Sequence, residues 1–344
     1  MQVVIENSHR FSSELRRKAD LDDVPLSTDD VTQSVADLVD DTYIDGVLSD
    51  VLPIGSAEIT ATIEPVFKTP PLVDEIDVRL RTGGNGSAVE HHKRFKSGRW
   101  SRTRQQRLLQ LRQEGTLAEG ETAFHMLIGL PAAGDHPLQP PALQPPPIID
   151  GTLEQFGFRE FGEGGFVPDR PVLVNNRMAE DAVNACLAAG ARETGGTALG
   201  ALVRLKEPLA NTTTRIVTLL TTCLEDQRHS GKLNEWSISP EAIAAGQEIA
   251  DMRGMGESVM TIVHTHGFST ECGNCNQNAS CPLAECTHVS LLDYQVMETL
   301  FPGKSTLMPI AGRKLGAPGK RPVLEIHAWR GGEMRPVRWK RYQD

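Results

Sequence analysis

The chain lacks any apolar stretch long enough to cross a bilayer. Its first residues, Met1-Gln2-Val3-Val4-Ile5-Glu6-Asn7, lack the basic region and long apolar run of a secretory signal. Together these absences predict a cytoplasmic protein with no membrane partner. An excess of basic residues is also missing. Lys and Arg number 35 against 45 Asp and Glu, for a formal net charge of -10. That balance argues against wholesale nucleic-acid binding. The glycine-rich stretch Thr82-Gly83-Gly84-Asn85-Gly86-Ser87 lacks the lysine and helix register of a phosphate-binding loop, so it reads as a loop only. Cysteine is scarce outside one segment, since four of the six cysteines crowd between residues 267 and 289.

What is present describes a globular chain. Hydrophobic residues make up 39% and charged residues 23%, and 344 residues suffice for two domains with their own cores. Residues 1–55 are acidic. Thr28-Asp29-Asp30 predicts the cap of a short amphipathic surface helix over 29–41, with Val31, Val35, Leu38 and Val39 on its inner side. Ala57, Ile59, Ala61 and Ile63, and then Ile76, Val78 and Leu80, alternate with polar residues, the period of half-buried antiparallel strands. The basic run from Lys93 through Arg102, Arg104 and Arg107 to Arg112 reads as a solvated helix face, with a docking patch for an acidic surface as the sharper alternative. A third strand follows over 121–128. These pieces predict an N-terminal α+β domain over 1–131.

Pro137, Pro140, Pro141, Pro145, Pro146 and Pro147 cannot donate backbone hydrogen bonds and favour extended structure. Residues 132–170 therefore read as a Pro/Gly-rich linker, and 171–344 as a second domain. Pro171 to Val174 predicts a strand and Met178 to Ala189 a helix that Gly190 ends. Thr197–Leu205 and Ile216–Leu224 predict strands. Pro240 after Ser239 marks a helix start running to Arg253.

The second domain holds the chemistry. Ser258 to Val263 is apolar and β-branched and predicts a buried strand that ends in His264-Thr265-His266-Gly267. Side chains at i and i+2 of a strand share a face, so both imidazoles could ligate one zinc ion. Asp293 could be a third ligand, which leaves a tetrahedral position open for water, the layout of a catalytic zinc site. Glu193 could be the base that takes a proton from that water. A His-x-His pair alone is a weak signal, and the order of the surrounding pieces adds to it. Glu193, then His264 and His266, then Ser290 and Asp293 in Ser-x-x-Asp resembles the motif of the JAMM family of zinc metalloproteases, also called the JAB or MPN domain. The resemblance covers roughly residues 170–340.

It implies an α+β fold, a mixed sheet flanked by helices of the cytidine-deaminase-like type. It also implies metal-assisted hydrolysis of an amide or isopeptide bond, with Ser290 donating a hydrogen bond to the oxyanion. The implied substrate is the C-terminal tail of a ubiquitin-like protein or its conjugates, with E1/E2-like conjugation proteins as possible partners. A non-catalytic MPN scaffold is the alternative. The chain departs from the family's pattern at Gly267, where proline is common, and in the long insertion 267–289. Deamination needs H-x-E with P-C-x-x-C. No H-x-E occurs, and Cys272–Cys275 follows glutamate.

Cys272, Cys275, Cys281 and Cys286, with His288 as an alternative ligand, form C-x2-C-x5-C-x4-C inside that insertion. In a cytosolic chain such spacing points to metal more than to disulfides. Structural zinc fits best, with an iron–sulfur cluster or redox thiols as alternatives. Cys186 and Cys223 lie in apolar patterns and read as core residues.

Overall fold

The computed structural model describes residues 2–17, 25–55, 58–83, 88–97, 107–108, 110–118, 121, 123–132, 138–141, 143, 146–158, 171–190, 192–210, 212–226, 238–266, 287, 289, 291–301, 307–312, 322–330 and 333–342. Two compact units divide the chain. The first is essentially 1–145 and the second 146–344, with 48–50 belonging to the second unit and 331–333 to the first.

The first unit is built on a seven-stranded sheet. Its strands are β1 (Gln2–Asn7), β2 (His9–Arg17), β3 (Ser27–Asp30), β4 (Glu58–Thr69), β5 (Leu72–Thr82), β6 (Glu90–Lys96) and β7 (Ala123–Pro131). The order is β1-β4-β5-β7-β2-β3, with β6 added beside β5. The alternation over 58–82 forms the antiparallel pair it predicts, with Thr62 opposite Arg79 and Glu64 opposite Asp77. The expected helix over 29–41 differs. Ser27–Asp30 is instead an edge strand on β2, and the helices are α1 (Thr32–Ala36) and α2 (Leu38–Leu48). Nor is α2 a surface helix, since Leu38, Val39, Tyr43 and Val47 are buried. The start of the basic run is strand rather than helix, because Lys93 and Arg94 pair in register with Val78 and Asp77. There Asp45 of α2 accepts hydrogen bonds from His91 and Lys93 of β6. Burial would raise the Asp45 carboxyl, but these two partners outweigh it and hold the group well below the usual carboxylate range.

The second unit carries a nine-stranded sheet. Its strands are β8 (Ile148–Asp150), β9 (Val172–Asn175), β10 (Gly195–Arg204), β11 (Ile216–Glu225), β12 (Ser258–Thr265), β13 (Leu307–Gly312), β14 (Val323–Arg330), β15 (Glu333–Pro336) and β16 (Trp339–Tyr342). The order is β15-β14-β13-β12-β10-β11-β9-β16, with β8 beside β10. Three α-helices are described, α3 (Asn176–Ala189), α4 (Pro240–Arg253) and α5 (Leu291–Leu300), besides a 3-10 turn at Leu153–Phe156. The Asn175 side chain accepts from the Arg177 and Met178 backbone N–H groups and starts α3. Ser239 accepts from Ala242 N–H and, with Pro240 at the first helical turn, starts α4.

The expected fold class is corrected by these sheets. The chain is mostly β, with two large mixed sheets, and not an α+β mixed sheet flanked by helices of the cytidine-deaminase-like JAB/MPN type. The smaller N-terminal α+β domain is likewise a unit built on a β-sheet, with short helices over 32–36, 38–48 and, among the described residues of 107–113, a further helical stretch. The physical reason lies in the connections. Crossover helices build α/β layers, whereas β4–β5, β10–β11 and β13–β14 follow one another directly and pair antiparallel. Strands β13 to β16 add further strand where no helical pattern competes. No helix among the described residues is long and apolar enough to cross a membrane.

Candidate metal centre

Strand β12 lies between β10 and β13, and its alternation decides which way each side chain points. Val263 packs with Met178, Ala182, Val183 and Cys186 of α3. Ile262, on the other face, packs with Met297 of α5 and with Met308 and Ile310 of β13. His264 and His266 continue the Ile262 series, so both imidazoles project on the α5 side. His266 stands just past the strand's last residue. Its N–H donates to the Ala311 carbonyl at 3.0 Å, and its own carbonyl accepts from the Cys186 thiol.

Asp293 lies in the first turn of α5. Met297, four residues on, shares its helix face and is buried against Ile262 and Ile310. The Tyr294 hydroxyl accepts from Met334 N–H at 2.9 Å and donates to the Met334 carbonyl at 3.3 Å, which fixes the helix further. Docked in this way, α5 carries the Asp293 carboxylate to the two histidines. The Nε2 atoms of His264 and His266 are 3.1 Å apart. Asp293 Oδ1 is 3.1 Å from His264 Nε2, and Oδ2 is 3.5 Å from His266 Nε2.

These distances suit a metal ion. Ligands about 2.05 Å from a tetrahedral zinc stand about 3.3 Å from one another. Two imidazole nitrogens and a carboxylate that converge at 3.1–3.5 Å match that spacing. The three also contact one another directly through a His264–His266 hydrogen bond and ion pairs to Asp293, and deprotonated they could offer lone pairs to one cation. Side-chain exposures of 3%, 11% and 13% keep the cluster largely out of water, which strengthens its charge interactions.

Glu193 precedes β10. Gly195 is the register partner of His264. Thr265 N–H donates to the Thr194 carbonyl at 2.8 Å, and Thr194 N–H donates to Thr265 Oγ1 at 3.0 Å. Continued two residues past Gly195, this register sets Glu193 across from His266. Burial pushes the Glu193 carboxyl above its ordinary value. The imidazoles of His266 and His264 oppose that shift, and the Asp293 carboxylate adds to it. A carboxylate made more basic by its surroundings is a better proton acceptor.

Of the residues singled out in the sequence, the fold brings together His264, His266 and Asp293, with Glu193 facing them. Ser290, Cys272, Cys275, Cys281, Cys286 and His288 lie outside the described residues. Cys186 is buried in the core. Burial pushes the Cys223 thiol up to about 12, with Asp181 and Glu225 adding to the shift, so it is protonated at neutral pH. Sequence reasoning missed Thr265 as a partner of Thr194. It also missed Glu325 and His327 on β14, which stand on the same sheet face as His264. Their signal was two polar residues at i and i+2 within Val323-Leu324-Glu325-Ile326-His327-Ala328. Burial holds the His327 imidazole below its ordinary value, against the opposing pull of its hydrogen bond to the Thr287 carbonyl and of the Glu325 and Asp293 carboxylates.

No protein-family model matches the chain, and no curated protein matches it. Among solved structures, it shows a slight likeness to the solution structure of protein DSY2949 from Desulfitobacterium hafniense. The identity is 14%, the coverage is 50% of this chain and 94% of that one, and the TM-score is 0.32.

Proposed function

We propose that the second unit is a zinc-dependent hydrolase of amide or isopeptide bonds. The observation that carries this reading is the convergence of His264, His266 and Asp293 to 3.1–3.5 Å, with Glu193 set across from His266. His264, His266 and Asp293 would hold the ion. Bound there, Zn2+ supplies Lewis acidity, which polarises the scissile carbonyl and lowers the pKa of a water to about 7. Glu193 accepts the proton of the attacking water and returns it to the leaving amine. Ser290 donates a hydrogen bond to the developing oxyanion, an interaction that contributes about 3 kcal/mol in comparable sites. The motif order Glu, His-x-His, Ser-x-x-Asp favours the C-terminal tail of a ubiquitin-like protein as substrate, joined to an amine or to its own precursor extension. E1/E2-like conjugation proteins are the partners such a pathway would supply. The cytoplasm is the compartment in which these partners and the reduced cysteines of 267–289 fit best. Those cysteines are proposed to hold a second, structural zinc.

The test uses the purified full chain. Elemental analysis should find up to two zinc ions per chain. Replacing Cys272 and Cys275 with serine should remove one and leave the other. A panel of ubiquitin-like fusions should be cut by the wild type and spared in the presence of chelator. Glu193→Gln should keep its zinc and lose roughly 100-fold or more in rate. Freshly purified protein without metal would overturn the reading. A chain that keeps its metal and cuts no fusion would instead be a non-catalytic binding module.

A further inference from the structure

Glu325 and His327 are buried or nearly buried ionisable groups with no part in the proposed reaction. They alternate with Leu324, Ile326 and Ala328 along β14, so they share one face of that strand. Ile310 of β13 links this face to the metal-binding residues. It is the register partner of Glu325 on one side and of His264 on the other. His327 is the partner of Met308, which packs with Ile310 and with Met297 of α5.

Both side chains reach Thr287, which is fully buried. His327 Nε2–H donates to the Thr287 carbonyl at 2.7 Å. That bond assigns the proton to Nε2, since a carbonyl only accepts. The Thr287 hydroxyl donates to Glu325 Oε2 at 2.7 Å. One residue is thus gripped twice, by its backbone and by its side chain. It stands four residues before α5 begins and six before Asp293. A buried carbonyl needs a hydrogen-bond partner, and the His327 imidazole supplies one here. On its far side α5 is held by Met297 and Tyr294. On its near side the described residues offer this grip and the packing of Val289 against the same cluster.

We propose that Glu325 and His327 are positioning residues. By gripping Thr287 they set where α5 starts, and so hold the Asp293 carboxylate against His264 and His266. The proposal rests on the reading of those three residues as a metal centre, but the grip on α5 can be measured without metal.

The experiment compares wild type, His327→Ala, His327→Gln, Glu325→Ala and Thr287→Val as full chains. Amide hydrogen exchange over 291–300 is read in metal-free protein. Affinity is read by Co2+ titration, whose visible bands separate nitrogen and oxygen ligation from thiolate ligation. His327→Ala and Glu325→Ala should speed exchange over α5 and weaken Co2+ binding roughly tenfold or more, the size seen when the partners that orient metal ligands are removed. His327→Gln keeps an N–H donor and should recover much of both. Thr287→Val removes only the hydroxyl and keeps the shape, so it tests the grip even if the alanine variants fail to fold. Exchange and affinity unchanged in folded Thr287→Val and His327→Ala would overturn the positioning role. A wild type with no Co2+ bands from nitrogen and oxygen ligands would overturn the metal centre instead, and exchange alone would then decide the grip.

Discussion

Thr265 shows how much a single side chain decides in this site. It sits between the two histidines and points to the opposite face, so it cannot touch what they hold. Its hydroxyl oxygen accepts the Thr194 N–H at 3.0 Å and extends the β10–β12 ladder toward Glu193. Thr265→Val keeps the volume and removes that acceptor, which leaves a backbone N–H without its partner. Such a loss costs about 1–3 kcal/mol. The histidines stay on their strand, so zinc should remain bound. Turnover should fall about tenfold as Glu193 loses its fixed position, the rate equivalent of roughly 1.4 kcal/mol. Thr265→Ser should restore it. Steady-state kinetics beside a metal assay check this. Full activity in Thr265→Val would mean that Glu193 is held by something else.

At the scale of elements, β10 is the strand on which Glu193 depends. Gly196 and Gly200 on it lie hard against β11. A Cβ at Gly196 would overlap the Leu224 carbonyl oxygen and stand 2.7 Å from its carbonyl carbon and 2.8 Å from Glu225 Cα. These are backbone atoms of a paired strand and cannot turn aside as a side chain would. Glycine is therefore required here for close approach rather than for an unusual backbone angle. Gly196→Ala should cost about 3 kcal/mol or more, the upper range for overpacking. The lost ladder should also displace Glu193 from the histidines. Urea unfolding measures the first effect and hydrolysis the second. A stability within about 0.5 kcal/mol of wild type would show that β11 can shift to make room.

For the whole molecule, His264, His266, Asp293 and Glu193 all belong to the second unit, so any role of the first in the proposed reaction would be in holding a partner. The basic run at 93–112 is the sequence feature that invites a docking role. Three of its described members are engaged locally. Lys93 pairs with Asp45, Arg94 lies 3.8 Å from Glu75 and 3.9 Å from Asp77, and Arg107 lies 3.6 Å from Glu114. Charges neutralised by neighbours project little field at a partner. Arg102 and Arg104 lie outside the described residues, and on the reading of the run as a solvated face, replacing them and Arg107 with glutamate should leave the turnover of a full-length conjugate and its salt dependence unchanged. A fall in turnover that also flattens the salt dependence, with cleavage of a short peptide intact, would show that the run docks an acidic partner.

The sequence by itself determined the local periods and the ends of elements. Alternation at 58–82 specified an antiparallel pair, Ser239-Pro240 and Gly190 marked helix boundaries, and spacing set His264 and His266 on one face of β12. These are short-range preferences, written within a few residues of where they act. Fold class was not legible in this way, and the helix-flanked layers expected from the motif gave place to two mixed sheets. Pairings such as β1 with β4 or β12 with β13 join distant segments, and no local pattern encodes their register. The candidate metal face divides along the same line. Sequence could name Asp293 as a candidate, but its approach to the histidines follows from the burial of Met297 against Ile262 and Ile310. Thr265, Glu325 and His327 acquired their roles only in the folded chain. Each acts through a hydrogen bond to a residue 38 or more positions away, and that bond exists only after the long-range packing has closed. Burial of distant apolar surfaces against one another, summed over the whole sheet, decided what no single stretch of sequence carries.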